Sequence, residues 1–340
     1  MPKKPDTEHQ PQLLPPTKVV VMFRPHATQE HVDGLEQHLQ SATLFVPEMN
    51  ISTAESIQVL ERVSAGEQHP VMAVAMLGVA DTMRGHLLGV LQVLHNSQVK
   101  VALADITAED SLNIALEASE HQNIYAAELE QTLQNLLENL QNYHQLQSER
   151  EDRIVENLLQ QLQANPQEQT IVMTLGSMHA PIVEKLRQQA GQFAELTVEV
   201  DADNSPESSY QHQVLKQIAN GEKVPQESLL RTLLEKLITD SAIRGQLDQA
   251  FTDPIEAERW IKDAVAQFTV DEIRDLYSTS VTSYTAKEQA GEMIVVGKFF
   301  SMLSMVVGDA LTQSGGLFEQ KGIAIPKPSI DEDEMYDPYV

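Results

Sequence analysis

Among the eleven histidines of this chain, two stand apart by position. His26 follows directly on an apolar run at residues 18–24 (KVVVMFR), and His179 follows a second run at 170–176 (TIVMTLG). Each is expected at the carboxyl end of a strand and just ahead of a helix, where ligands bind in open α/β sheets. The start of a helix disfavours protonation, which keeps an imidazole neutral as a metal ligand or a base. Glu48 closes another such run, 43–49 (TLFVPEM). His26, Glu48 and His179 together form a set able to hold a divalent cation, and without metal the histidines are candidate bases. His31, close to His26, competes for any role given to it. His38, His69, His95, His121 and His212 fall on polar helix faces or loops and carry no such expectation.

A third candidate position is a polar interruption in a long helical pattern. Winding residues 128–163 at 100° per residue aligns Leu129, Leu133, Leu136, Leu137, Leu140, Ile154, Val155, Leu158, Leu159 and Leu162 on one face. Between the two apolar blocks that face carries His144, Gln147 and Glu151, with Arg150 at its margin and Arg153 on nearly the opposite side. Buried polar groups without partners cost about 1–3 kcal/mol each. The interruption therefore marks either a solvated joint between two helices or the wall of a polar cavity.

The elements that would position these residues alternate in type over the first two hundred positions. Strands are expected at 18–24, 43–49, 99–105 (VKVALAD), 170–176 and 196–201, with helices between them near 28–40, after Ser52, and at 80–95. That order predicts an α/β domain with a mostly parallel central sheet flanked by helices. From 205 to 280 the pattern turns helical, with helices expected at 211–220, 226–239, 254–268 and 271–277. Trp260, in the third of these, is read as a core residue. Residues 293–311 form the most apolar late stretch, but Lys298 and Asp309 interrupt it, and its uncharged run is too short to span a bilayer. Gly297, Ser301, Ser304 and Gly308 recur there at helical spacing, a stripe that lets another element approach closely. The division expected is a disordered lead over 1–16, an α/β domain over 17–204, a helical region over 205–325 serving as cap or second domain, and an acidic disordered tail over 326–340.

Composition narrows the function classes. Fifty Asp and Glu against 23 Lys and Arg leave a net charge of -27, a surface that repels phosphate backbones and anionic lipid. There is no cysteine, so disulfides, thiolate metal sites and cysteine nucleophiles are excluded. The first residues lack the apolar core of a signal peptide, and the expectation is an acidic cytoplasmic protein that binds neither nucleic acid nor membrane. Walker, dinucleotide, zincin and nucleophile-elbow motifs do not occur.

Taken in order, these residues resemble the TraB/Tiki superfamily, which also takes in erythromycin esterase-like and ChaN-like proteins. TLGSMHAPIVEKLRQQ is similar to its second Gly-x-x-His motif, here Gly176 and His179. SEREDRIVENLLQQL resembles its upstream helix, here Arg150, Glu151, Ile154, Val155 and Asn157. VVVMFRPHATQEHVDGLEQHL resembles the first motif, and TLFVPEMNIS the strand that follows with its glutamate, Glu48. The likeness covers roughly residues 17–200. It departs at the first motif, where Phe23 stands at the glycine position and Arg24 where several members carry Glu, leaving His26.

The resemblance implies a hydrolase of an ester or amide, acting on a small-molecule or peptide substrate. His26, Glu48 and His179 would hold a divalent metal such as Mn, Co or Zn, or a histidine would deprotonate water without one. Arg150 would stabilise the oxyanion, Glu151 would orient a histidine or act as a second acid/base group, and Gly176 would allow the turn that brings His179 inward. Arg24, a cation replacing an acid, instead suits a carboxylate or phosphate. Two alternatives stand beside this one. One is a non-catalytic protein binding a small anion at Arg24 and Arg150. The other is an interaction protein whose helical region forms a homodimer.

Overall fold

The computed structural model describes residues 13–24, 32, 34–49, 54–77, 81–107, 109–167, 169–202, 209–251, 254–289, 299–313 and 316–327. His26 and His31 lie outside them, as do residues 1–12 and 328–340 of the expected lead and tail. The chain divides into two compact units, one of residues 1–114 and 147–204 and the other of residues 115–146 and 205–340. The helical unit thus takes in a segment, 115–146, that lies inside the sequence span expected for the α/β domain.

The α/β unit is built on five parallel strands, β1 (Thr17–Phe23), β2 (Leu44–Pro47), β3 (Lys100–Val101), β4 (Thr170–Leu175) and β5 (Leu196–Ala202), in the order β3-β2-β4-β1-β5. Runs of β-branched residues produce the inner strands, which are covered on both faces and therefore need no polar alternation. Odd-numbered Val19, Val21 and Phe23 of β1 enter one apolar cluster, while Val20 and Met22 enter another on the opposite face. The expected strand at 99–105 is cut to two residues for a reason in its neighbour. Ala102 donates to the Phe45 carbonyl at 3.0 Å. The next donor on that side of β2 would be residue 47, and Pro47 has no N–H. The lead is also shorter than expected, because Leu14 is buried, bridges Phe193 and donates to the Gln192 carbonyl at 2.8 Å.

One face of the sheet is covered by α1 (Leu35–Leu39), α2 (Ala54–Ser64), α3 (Pro70–Leu77) and α4 (Asp81–Leu94). The other is covered by the second half of α6 (Leu129–Ala164), through Ile154, Val155, Leu158, Leu159 and Leu162, and by α7 (Ile182–Gln188). Between β3 and α6 lies α5 (Ser111–Glu120). The polar interruption is not a joint, since α6 is a single helix of 36 residues in which Gln147 and Glu151 are buried. The chain leaves β2 toward β3 on one side and leaves β4 toward β5 on the other. The β2/β4 boundary is therefore a topological switch point, and in such sheets ligands bind outside the carboxyl ends there.

The helical unit contains α8 (Tyr210–Ala219), α9 (Gln226–Thr239), α10 (Ala242–Ala250), α11 (Pro254–Ala266), α12 (Val270–Gln289), α13 (Phe299–Thr312) and α14 (Leu317–Lys321). Its centre is α9, whose Leu229, Leu230, Leu233, Leu234, Leu237 and Ile238 are all buried. Trp260, expected in the core, is half-buried at its margin and packs edge-on against buried Phe318 with centroids 5.7 Å apart. The small-residue stripe has a local use: a Cβ at Gly308 would stand 3.1 Å from that of Ser241, the N-cap of α10. Residues 293–298 of that stretch lie outside the described residues. Buried Glu235 accepts from the Tyr210 and Gln211 amides at 3.1 and 3.0 Å, closing the start of α8. Tyr277 donates to the Ala126 carbonyl at 2.6 Å and meets the Thr132 hydroxyl at 2.6 Å. Among the described residues no helix is long and apolar enough to cross a membrane.

Candidate functional site

Four separate segments of the α/β unit converge at the β2/β4 boundary. Glu48 continues β2 by one residue, its amide donating to the Thr174 carbonyl at 2.9 Å. Its side chain then faces the α6 side of the sheet, because it shares the alternation of Leu44 and Val46. The Gly176 amide, just past β4, donates to Glu48 Oε2 at 2.5 Å. Gly176 is not among the glycines with left-handed backbone, so its contribution is this amide rather than a strained turn. A single 3-10 turn, Ser177–His179, follows, and it swings the His179 ring back over the strand ends.

His179 is 2% exposed and stands between two carboxylates. Its Nε2 lies 3.2 Å from Glu48 Oε1, within hydrogen-bond reach. Its Nδ1 lies 3.6 Å from Glu151 Oε1, an ionic separation too long for a hydrogen bond. Burial pulls the His179 pKa down, but Glu151 and Glu48 raise it further than burial and the Arg150 charge lower it, to about 9. The imidazole is therefore a cation at neutral pH. That reverses the expectation drawn from its place before a helix, because two close carboxylates outweigh the field of a short helix.

Helix α6 contributes Arg150 and Glu151 as neighbours turned about 100° apart. Glu151, also 2% exposed, points at His179 and stands 4.0 Å from Lys185 Nζ of α7. Arg150 reaches past it to the strand ends. Its Nε and Nη2 grip Asp105 at 2.9 and 2.5 Å, and Nη2 also lies 3.3 Å from Glu48 Oε1. Arg153 instead pairs with Asp110 at 2.6 Å on the exposed side, so Arg150 is the arginine of the site. Lys185 is held by the Ser148 carbonyl at 2.8 Å and by Asp152 at 2.5 Å.

Sequence reasoning missed Asp105 and Lys185. Asp105 could have been found by the rule that selected Glu48, since it is the acid that closes the third apolar run. Nothing local marks Lys185. Arg24, by contrast, is not brought to this cluster. It follows the alternation of Val20 and Met22 onto the α1 face, where it pairs with Asp201 at 2.9 Å and donates to the Phe23 and Asp201 carbonyls. His38 Nε2 meets the same Asp201 at 2.9 Å, so this histidine is more than a solvated helix residue. Burial favours the neutral form of Asp201, but the hydrogen bonds from Arg24 and His38 outweigh it and hold the carboxyl below its ordinary range.

Of the three expected metal ligands, Glu48 and His179 are together and His26 lies outside the described residues. Among the described residues no group of three or more His, Asp or Glu is disposed to hold a metal ion. The chemistry of the donors present also fits a cation poorly. Glu48 accepts from Gly176, and its other oxygen faces both a guanidinium and an imidazolium. The helical unit has a separate polar cleft lined by Glu235, Lys236, Asp240, Arg244 and Glu258, in which Lys236 pairs with Asp240 at 3.4 Å.

No family model, no curated protein and no solved structure matches the chain.

Proposed function

We propose that the α/β unit is a hydrolase of the TraB/Tiki kind that opens an ester or amide, with Glu151 and His179 as its acid/base pair. The observation that carries this reading is the charged cluster at the switch point, in which Asp105, Glu151 and His179 are buried and Glu48 and Arg150 are largely so. Burying so many charges is costly, and apolar residues would pack there at less cost, so such clusters concentrate where chemistry needs them.

The roles follow from what each group already bonds. Glu48 is engaged by Gly176, Arg150 and His179, so it orients the imidazole and makes a poor base. Glu151 has its nearest cations at 3.6 and 4.0 Å and retains lone pairs to accept a proton from water. Water then adds to the carbonyl carbon, and the oxyanion develops against the fixed charge of Arg150, which Asp105 holds in place. His179 gives its Nδ1 proton to the leaving group as the tetrahedral intermediate collapses, and the proton on Glu151 returns to the imidazole. No step requires a metal; the resemblance leaves metal-dependent and metal-free hydrolysis both open.

A panel of p-nitrophenyl esters and fluorogenic peptides tests the reading, assayed with chelator and with added Mn²⁺, Co²⁺ or Zn²⁺. Turnover that survives chelator and falls by about a hundredfold or more in both Glu151→Gln and His179→Ala is the expected result. Turnover that needs metal would move the chemistry to a cation site. No turnover on any substrate, or variants as active as the parent chain, would end the hydrolase reading.

A further inference from the structure

The sheet has two open edges, and they are not alike. β3 is only two residues long, a common way of blunting an edge against pairing. β5 runs for seven residues, LTVEVDA, without proline, lysine or bulge, and pairs only with β1 among the described residues. Its main-chain polarity can be read from the ladder. Thr17 pairs with Leu196 and donates to the Glu195 carbonyl at 2.9 Å. Glu195, Thr197, Glu199 and Asp201 therefore turn their N–H and C=O groups to β1. Leu196, Val198, Val200 and Ala202 turn theirs outward. Val200 is 46% exposed, an unusual position for a β-branched residue, in a strand that no other strand extends among the described residues.

We propose that the open edge of β5 takes up an extended basic peptide segment as a sixth strand of the sheet. Unpaired outward N–H and C=O groups supply the hydrogen bonds, and the charge of the edge selects the partner. Glu195 and Glu199 are exposed beside it in a chain of net charge -27. Lys18 answers Glu199 at 2.8 Å, but their side chains are 43% and 50% exposed, so that pair is weak and a second cation finds the carboxylate open. A second copy of the chain fits badly. Any antiparallel self-pairing centred between Thr197 and Asp201 sets Glu195, Glu199 or Asp201 opposite another acid, and like charges directly opposite destabilise a ladder.

The test uses the full chain and a fluorescein-labelled heptapeptide of alternating Lys and Val, followed by anisotropy at near-physiological salt. Saturable binding is expected, weakened about tenfold or more by N-methylation of one alternate set of peptide amides and left unchanged by methylation of the other set. This asymmetry belongs to strand addition, and it does not depend on whether a variant folds. Val200→Pro, which removes an outward donor and none directed at β1, should weaken binding similarly. A peptide with Glu in place of Lys should bind at least tenfold more weakly. Absence of binding would overturn the proposal. So would equal loss from both methylated sets, which would mean charge attraction alone. An edge blocked by self-association, seen as a concentration-dependent mass that Val200→Pro abolishes, would overturn it too.

Discussion

The imidazolium of His179 makes a quantitative prediction about stability. Its pKa stands at about 9 against an ordinary 6.5. Folding therefore favours the protonated ring, by roughly 3 kcal/mol at 1.4 kcal/mol per pKa unit. Because the folded value is the higher one, this contribution is complete below about pH 6.5. It declines as pH rises and is gone above about pH 9. The His179→Gln variant lacks the titration but keeps a polar side chain of similar reach. The difference in unfolding free energy between parent and variant should thus be largest near pH 6 and shrink by roughly 3 kcal/mol by pH 10. Fluorescence of the one tryptophan would mislead, since Trp260 belongs to the helical unit. Amide exchange at Phe45 and Val172, in the central strands, reads the α/β unit. A difference independent of pH between 6 and 10, or one that grows with pH, would refute the pairing of His179 with Glu48 and Glu151.

Other expectations are as direct. Arg150→Ala leaves buried Asp105 without its cation and should cost about 3–5 kcal/mol in urea unfolding of the α/β unit. Burial raises Glu235 to about 7, the two amides of α8 and Lys262 opposing it and Glu258 adding to it. A carboxyl raised on folding stabilises most when protonated, so the helical unit should lose stability as pH climbs from about 4.5 through 7, and Glu235→Gln should flatten that slope in Trp260 fluorescence unfolding. Gly308→Val puts a branched side chain where even a Cβ lies 3.1 Å from Ser241, and thermal unfolding should show a loss of about 1–3 kcal/mol.

Much of the fold is legible from local pattern, and the exceptions share a cause. β1 and β4 are read from uninterrupted β-branched runs, and α9 is read to its ends because Pro225 and a leucine stripe bound it. α3 (PVMAVAML) escapes because it is apolar on all sides and has no helical period to detect. β3 is overestimated because its length is decided by Pro47 on another strand. At the site, Glu48 and His179 are read from strand ends, and Arg150 and Glu151 from helix phase. The partnership of Arg24, Asp201 and His38 is not readable, because it spans 177 positions and exists only through the order of the strands.

That order also dictates when the molecule can assemble. β1 and β2 do not pair with each other, and both wait for β4, which enters between them. β4 begins at Thr170, more than a hundred residues after β2 ends at Pro47. At ribosomal rates of about 5–20 residues per second, two strongly apolar strands remain without their shared neighbour for roughly ten seconds. Truncation before residue 170 would leave β1 with no partner and β2 with only the two-residue β3, and such fragments should aggregate rather than retain partial structure. The nascent chain should accordingly depend on chaperone protection over that interval, and the charged cluster at the switch point can form only once synthesis has passed His179.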